Sequence, residues 1–308
     1  MAVLSELRYP TTRLAKFISA LLALLLFAFV AVSSVSGYLV YQALRPQRNT
    51  STVNLDIMMG HPQTLSFRLT DGTDREGWYF PGFRGAPAIV VCHGYLSQRA
   101  DVLTLVTALQ DHQFNVFLFD FSGHGTSPRG TTLGYKEGNE LRAALQELST
   151  RDDVDPQHFG LWGVDLGGYA ALEVAASDPR VAAIAVDNAY ADPRDMMRIQ
   201  VKHSGLGVIP FVYKFTDFGF RMANYPFRDE PPVTVHLGRM NATQKLFIES
   251  EDQPDLSSET QKLFLAAPPP KQMEPNRVSY ADMSDDDRKT YENQIVNFFL
   301  QSIPPTVR

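Results

Sequence analysis

The residue of greatest chemical interest is an aspartate set among glycines, in Gly163-Val164-Asp165-Leu166-Gly167-Gly168. Aspartate tolerates the positive-φ backbone of a tight turn better than most residues. At the start of a helix its carboxylate can also accept orphaned backbone N–H groups, as a cap does. Two roles are therefore open to Asp165. As a nucleophile it would attack an sp³ carbon and form an alkyl ester. As a cap it would only hold the turn together. Clearing such an ester needs a base to activate water, and the supply of imidazole is short. The chain has seven histidines, and none follows His236. His93, in His93-Gly94-Tyr95, and His124, in Asp120-Phe121-Ser122-Gly123-His124-Gly125-Thr126-Ser127, lie on loops that could approach Asp165. His61, His112, His158, His203 and His236 read as surface, turn or packing residues. The single cysteine, Cys92, is expected to face the core and excludes an internal disulfide framework.

These loops must be held by elements, and the elements alternate. Thr64–Thr70 and Glu76–Phe80 read as a hairpin around the turn residues Asp71-Gly72. Ala88–Cys92, Asn115–Asp120, Phe159–Trp162, Val181–Val186 and Lys245–Ile248 are continuous apolar runs, which suit strands buried on both faces. Between them, Asp101–Gln110, Glu137–Leu148 and Gly167–Ser177 have helical spacing. A last short strand is expected at Arg277–Tyr280 and a closing helix at Arg288–Leu300. Buried strands alternating with helices give right-handed crossovers and a mostly parallel α/β sheet, doubly wound by helices on both faces.

The loops at 93–95, 120–127 and 163–168 together resemble those of the α/β-hydrolase superfamily, most closely its membrane-tethered bacterial esterase and serine-aminopeptidase-like members. The resemblance covers roughly residues 64–302. It implies a strained strand-to-helix turn carrying a nucleophile, with the N–H groups of Tyr95 and Leu166 forming an oxyanion hole. It also implies a triad, and here the chain departs from the family. The nucleophile position is Asp165, the acid position falls on Gln253 within Glu249–Leu256, and the base position falls near Met283. Asp252 and Asp255 flank the acid position, and Asp187 sits where some relatives keep an alternative acid. His93 and His124 are auxiliary candidates for a base.

The expectation is therefore an ancestral ester or amide hydrolase that no longer turns over and acts by binding a small apolar ligand or a protein partner. The alternative is an active hydrolase, either of carboxylic esters or peptides or with Asp165 as nucleophile toward epoxides or haloalkanes. No metal or cofactor is implied; the acidic run Asp285-Asp286-Asp287 suits a helix N-terminus and lacks the spaced ligands of a calcium loop.

Ahead of this domain, Phe17–Tyr41 contains no charge and no proline. A 25-residue helix is about 37 Å long, enough for a hydrocarbon core of about 30 Å. It reads as a single-pass anchor in preference to a cleaved signal peptide. Arg8, Arg13 and Lys16 precede it and Arg45 and Arg48 follow, a bias that leans toward a cytoplasmic N-terminus and an external soluble domain. The division expected is a tail at 1–16, the anchor at 17–41, a linker at 42–63, and the hydrolase-like domain at 64–308. Within that domain, 190–239 is an aromatic-rich, lid-like insertion whose Phe211, Phe215 and Phe218 are expected to pack on the sheet; the alternatives are a lid over a pocket or a surface resting on lipid. The composition is ordinary for a globular protein, with 44% hydrophobic and 20% charged residues in 308, and the net charge of −6 gives no footprint for nucleic acid.

Overall fold

The computed structural model describes residues 12–48, 50, 53 and 62–306. Arg8, His61, most of the tail and parts of the linker lie outside the described residues. The chain divides into two compact units, one formed by residues 1–43 and 197–225, the other by 44–196 and 226–308.

The larger unit is built on an eight-stranded sheet. Its strands are β1 (Gln63–Arg68), β2 (Asp74–Phe80), β3 (Ala86–Cys92), β4 (Asn115–Phe119), β5 (Val154–Val164), β6 (Val181–Asp187), β7 (Gln244–Ser250) and β8 (Lys271–Asn276). Their order across the sheet is β1-β2-β4-β3-β5-β6-β7-β8. The first two strands are antiparallel additions, and β4 through β8 with β3 run parallel. This is the fold class read from the alternation. The central strands are apolar throughout because both of their faces are covered; all residues of β3 and β4 are buried.

Successive side chains take opposite faces. Ile89, Val91, Leu118 and Trp162 belong to a core shared with Leu105 and Leu109 of α2 (Leu103–Asp111) and Ile295 and Phe299 of α8 (Asp285–Ser302). The other face carries α3 (Tyr135–Leu148) and α4 (Asp165–Ala175). Asn115, buried at the start of β4, pins the surrounding loops. Its carbonyl accepts from the Tyr79 hydroxyl and Gly82 N–H at 2.9 and 2.8 Å, and its amide donates to the carbonyls of Ala86 and Asp153 at 2.9 and 3.0 Å.

The last strand departs from the expectation. It is Lys271–Asn276, and Arg277–Tyr280 leads into a short 3₁₀ turn at Tyr280–Asp282. The strand lies at the sheet edge, where polar residues and Pro275 are tolerated, so it has no apolar run. A helix without a strong apolar rhythm, α7 (Pro254–Ala266), precedes it.

The smaller unit contains α1 (Arg13–Leu44) up to residue 43 and most of two later helices, α5 (Pro193–His203) and α6 (Pro210–Ala223). Helix α1 has 32 residues and is long and apolar enough to cross a membrane. Phe211 and Phe218 do not pack on the sheet as expected: they are 64% and 65% exposed. The inward stripe of α6 lies about 100–180° round the helix from Phe211, at Val212, Thr216 and Phe220, all of them buried.

Candidate active site

The parallel strands end together along one edge. Register places Cys92 beside Gly163, Val164 beside Asp187, and Asp187 beside Ile248. The loops that leave β3, β4, β5 and β6 therefore meet there, the edge at which sheets of this kind bind ligands.

Asp165 is the first residue of α4 and has φ +39°, a left-handed conformation costly for a non-glycine residue. The turn is also closely packed. A Cβ on Gly167 would lie 2.3 Å from the Cys92 carbonyl oxygen, and one on Gly163 would lie 2.4 Å from the backbone of Gly167. Only glycine lets β5, α4 and the end of β3 approach this closely.

The turn aims the carboxylate at the 93–95 loop. Oδ1 of Asp165 accepts the Tyr95 N–H at 2.7 Å and also the N–H of Leu166. Oδ2 lies over Gly94, where a Cβ would stand 2.7 Å from it. Burial pushes the Asp165 carboxyl up to about 7, against the opposing pull of the Leu166 and Tyr95 N–H groups. Two backbone donors thus converge on one oxygen, an arrangement suited to holding a negative charge.

No imidazole meets this carboxylate: among the described residues its hydrogen bonds come only from Tyr95 and Leu166. His93 is fully buried and uses both ring nitrogens on backbone. Nε2 accepts the Phe121 N–H at 3.0 Å, so the proton sits on Nδ1 and is donated to the Gly94 carbonyl at 2.8 Å. Burial first, and the neighbouring His124 second, push His93 down to about 4. His124 places Nδ1 3.0 Å from the Ser122 carbonyl, and its Nε2 is buried without a partner among the described residues. Burial lowers its pKa as well. Both rings are neutral packing elements of the loops: His93 meets Phe121 edge-on, His124 meets Tyr95 edge-on, and the two imidazoles are tilted against each other.

Asp120 gives the 120–127 loop its shape. Oδ1 accepts the Arg99 N–H at 2.8 Å, and Oδ2 accepts the Thr126 N–H and hydroxyl, both at 3.0 Å. Gly125 folds over the carboxylate with φ +46°.

The other triad positions are not brought to Asp165 as a relay. Gln253 caps the N-terminus of α7 and donates its backbone N–H to the Ser250 carbonyl. Asp252 accepts the Ser279 N–H and hydroxyl at 2.9–3.0 Å, tying the loop after β7 to the loop after β8. Asp255 lies in the first turn of α7. Met283 is a core residue, 8% exposed and packed in one cluster with Tyr280, Tyr291 and Trp162. Asp187 ends β6, fully buried, and neither carboxylate oxygen has a hydrogen-bond partner of good geometry among the described residues. Burial pushes it up to about 7; the Tyr291 hydroxyl and, less strongly, that of Ser250 counter the rise, and the carboxylates of Asp165 and Asp252 add to it.

Beside Asp165 opens a cavity of about 420 Å³. Gly94, Tyr95, Asp101, Asp165, Tyr280 and Arg288 are among its walls, which come from the loops after β3, β5 and β8 and the first turn of α8. Arg288 lies over the Tyr280 ring at 5.2 Å, and its Nε is buried with no partner among the described residues. Sequence reasoning missed Arg288. The available signal was its place four residues past the helix-capping Ser284, on the loop where the resemblance seeks a base. It also missed Asn188, φ +49°, whose side chain bonds Ser250 at 2.9 and 3.1 Å and fixes the ends of β6 and β7.

Comparison with known proteins agrees with this architecture. A family model described as alpha/beta hydrolase fold matches residues 87–207. The chain is 27% identical over 252 residues to the uncharacterized protein YfhR of Escherichia coli O157:H7, covering 79% of this chain and 82% of that one. It is 35% identical over 116 residues to the uncharacterized protein Rv2307c of Mycobacterium tuberculosis, covering 37% and 41%. The structure of the esterase Pf2001 of Pyrococcus furiosus superposes with a TM-score of 0.65 at 17% identity, over 84% of this chain and 99% of that one. The alpha/beta hydrolase GrgF from Penicillium superposes with a TM-score of 0.62, also at 17% identity, over 79% and 99%. At such identity the likeness is one of fold.

Proposed function

From the premise that this chain has the α/β-hydrolase fold, we propose that it is a membrane-anchored pseudo-hydrolase that binds a small molecule beside Asp165 without turning it over. The observation that carries this reading is the capture of both the Tyr95 and Leu166 N–H groups by Asp165 itself. In a working enzyme of this fold those two donors would face the oxyanion of a tetrahedral intermediate. Here the residue at the nucleophile position fills the oxyanion hole. The base is missing in the same place, since Met283 is core and both loop histidines are committed to their own loops. An oxyanion donor is worth about 10²–10³ in rate and a positioned base about 10²–10⁴. Losing both removes on the order of 10⁴ or more.

The cavity beside Asp165 supports the binding role. Tyr95, Val102, Val164 and Tyr280 offer an apolar wall, and Arg288 brings a guanidinium to the lining. A short aliphatic carboxylate fits that chemistry, its anionic end on Arg288 and its chain against the tyrosines. Helix α1 serves as the anchor, and the basic residues Arg13 and Lys16 in its first turn favour a cytoplasmic N-terminus with the sheet unit outside.

Purified full-length protein in detergent should hydrolyse p-nitrophenyl butyrate no faster than its Asp165→Ala variant. It should bind octanoate, with affinity lost in Arg288→Ala. Esterase activity abolished by Asp165→Ala would overturn the proposal. A second reading rests on Oδ2 of Asp165, which accepts no hydrogen bond among the described residues and could attack an epoxide or haloalkane carbon. That reading requires a base the site does not supply.

A further inference from the structure

The smaller unit holds a second apolar surface that the anchor alone does not explain. Helix α6 packs against α1, and three contacts among the described residues show it. The Ser36 hydroxyl donates to the Val212 carbonyl at 3.2 Å, the Phe29 and Phe215 rings meet edge-on at 5.4 Å, and Gly219 approaches Val40 so closely that a Cβ would stand 3.4 Å from it. Phe29 lies at the midpoint of the charge-free run from Phe17 to Tyr41, and Val40 lies at its end. Their separation of 11 residue steps spans about 16 Å of helix. Helix α6 therefore runs beside the half of α1 that leads toward residue 41, down to its middle.

On its outer side α6 is still apolar. Phe211, Phe218 and Met222 are 64%, 65% and 55% exposed. At about 100° per residue, these three share one stripe within roughly 20° of Phe211. That stripe adjoins the sector occupied by Phe215 and Gly219, which touch α1, so the exposed surface continues the surface already packed on the anchor. The exposed basic residues Lys214 and Arg221 fall together on the other flank of the stripe, about 60–80° away. An apolar stripe bordered by long basic side chains is the pattern of a helix seated at a bilayer interface, with its cations reaching up to the headgroups.

We infer that α6 is a second membrane element, its Phe211–Phe218–Met222 stripe inserted in the acyl layer of the bilayer that holds α1, with Lys214 and Arg221 at anionic headgroups. This rests on the reading of α1 as an anchor. The occupant follows from continuity: a surface lying against the apolar half of a spanning helix shares that helix's surroundings. A stripe of two phenylalanines and a methionine at that depth meets hydrocarbon.

Site-directed nitroxide labelling of the full chain in phosphatidylcholine–phosphatidylglycerol vesicles tests this. The only native cysteine, Cys92, is 1% exposed, so labels report the introduced positions Leu25→Cys, Phe218→Cys and Leu265→Cys. All three replace exposed side chains, which leaves the packing intact. Collision with oxygen should exceed collision with a water-soluble nickel complex at 25 and at 218, and the order should reverse at 265. A lipid signal at 25 with an aqueous or collision-shielded signal at 218 would overturn the inference and leave the anchor standing. An aqueous signal at 25 would overturn the anchor and the inference with it.

Discussion

Asp187 provides the sharpest stability prediction. Its carboxylate is fully buried at the end of β6, with no well-made hydrogen bond to either oxygen, and is pushed from its ordinary 3.8 up to about 7. A rise of about three units corresponds to about 4 kcal/mol between the charged and neutral forms, at 1.36 kcal/mol per unit. The sign follows from proton binding. Between about pH 4 and 7 the folded state holds this proton and the unfolded chain does not, so the contribution to stability falls as pH rises. Below about pH 4 both states are protonated and the penalty is gone. Asp187→Asn keeps the shape and removes the charge. At pH 8 it should stabilise the protein by about 2–4 kcal/mol, or roughly 5 °C or more in Tm at this chain length; at pH 4 it should be near neutral. Urea denaturation of both proteins at pH 4, 6 and 8 measures the difference directly. A variant less stable than the parent at pH 8, or an effect independent of pH, would show that Asp187 is ionised and well solvated, and the reasoning would fail.

Three further outcomes follow from the same packing. Gly167→Ala should cost about 3 kcal/mol or more, because the new Cβ meets the backbone carbonyls of Cys92 and His93 at 2.3 and 2.6 Å, and urea titration will read it. Asn115→Ala should cost about 3 kcal/mol through the donors and acceptors it strands at Tyr79, Gly82, Ala86 and Asp153, measured the same way. The Cys92 thiol, buried and pushed up by that burial, should be inert to Ellman's reagent at pH 8 in the folded protein and react fully once unfolded.

Much of the sheet could be read from the chain because the central strands are covered on both faces and so become uninterrupted apolar runs, as at Ile89–Val91 and Val116–Phe119. The glycines around Asp165 were equally telling, since each prevents a specific collision. The edge strand Lys271–Asn276 was not legible: half of its surface is solvated and nothing forces it to be apolar. The phase of α6 was misjudged because aromatic spacing alone cannot say whether a stripe faces protein or lipid, and Val212, Thr216 and Phe220 took the inner face. Within the site, the turn and the approach of Tyr95 follow from local backbone rules. The cavity and Arg288 depend on where the loop after β8 lands, which the sequence does not encode locally.

The most direct test asks whether Asp165 ever carries a substrate. Full-length protein is incubated with an epoxide, a haloalkane and an activated ester, digested, and the peptide containing Asp165 is weighed by mass spectrometry, with product measured in parallel. The account predicts an unmodified peptide and no product beyond the Asp165→Ala level. A covalent adduct on Asp165 that decays as product accumulates would contradict it.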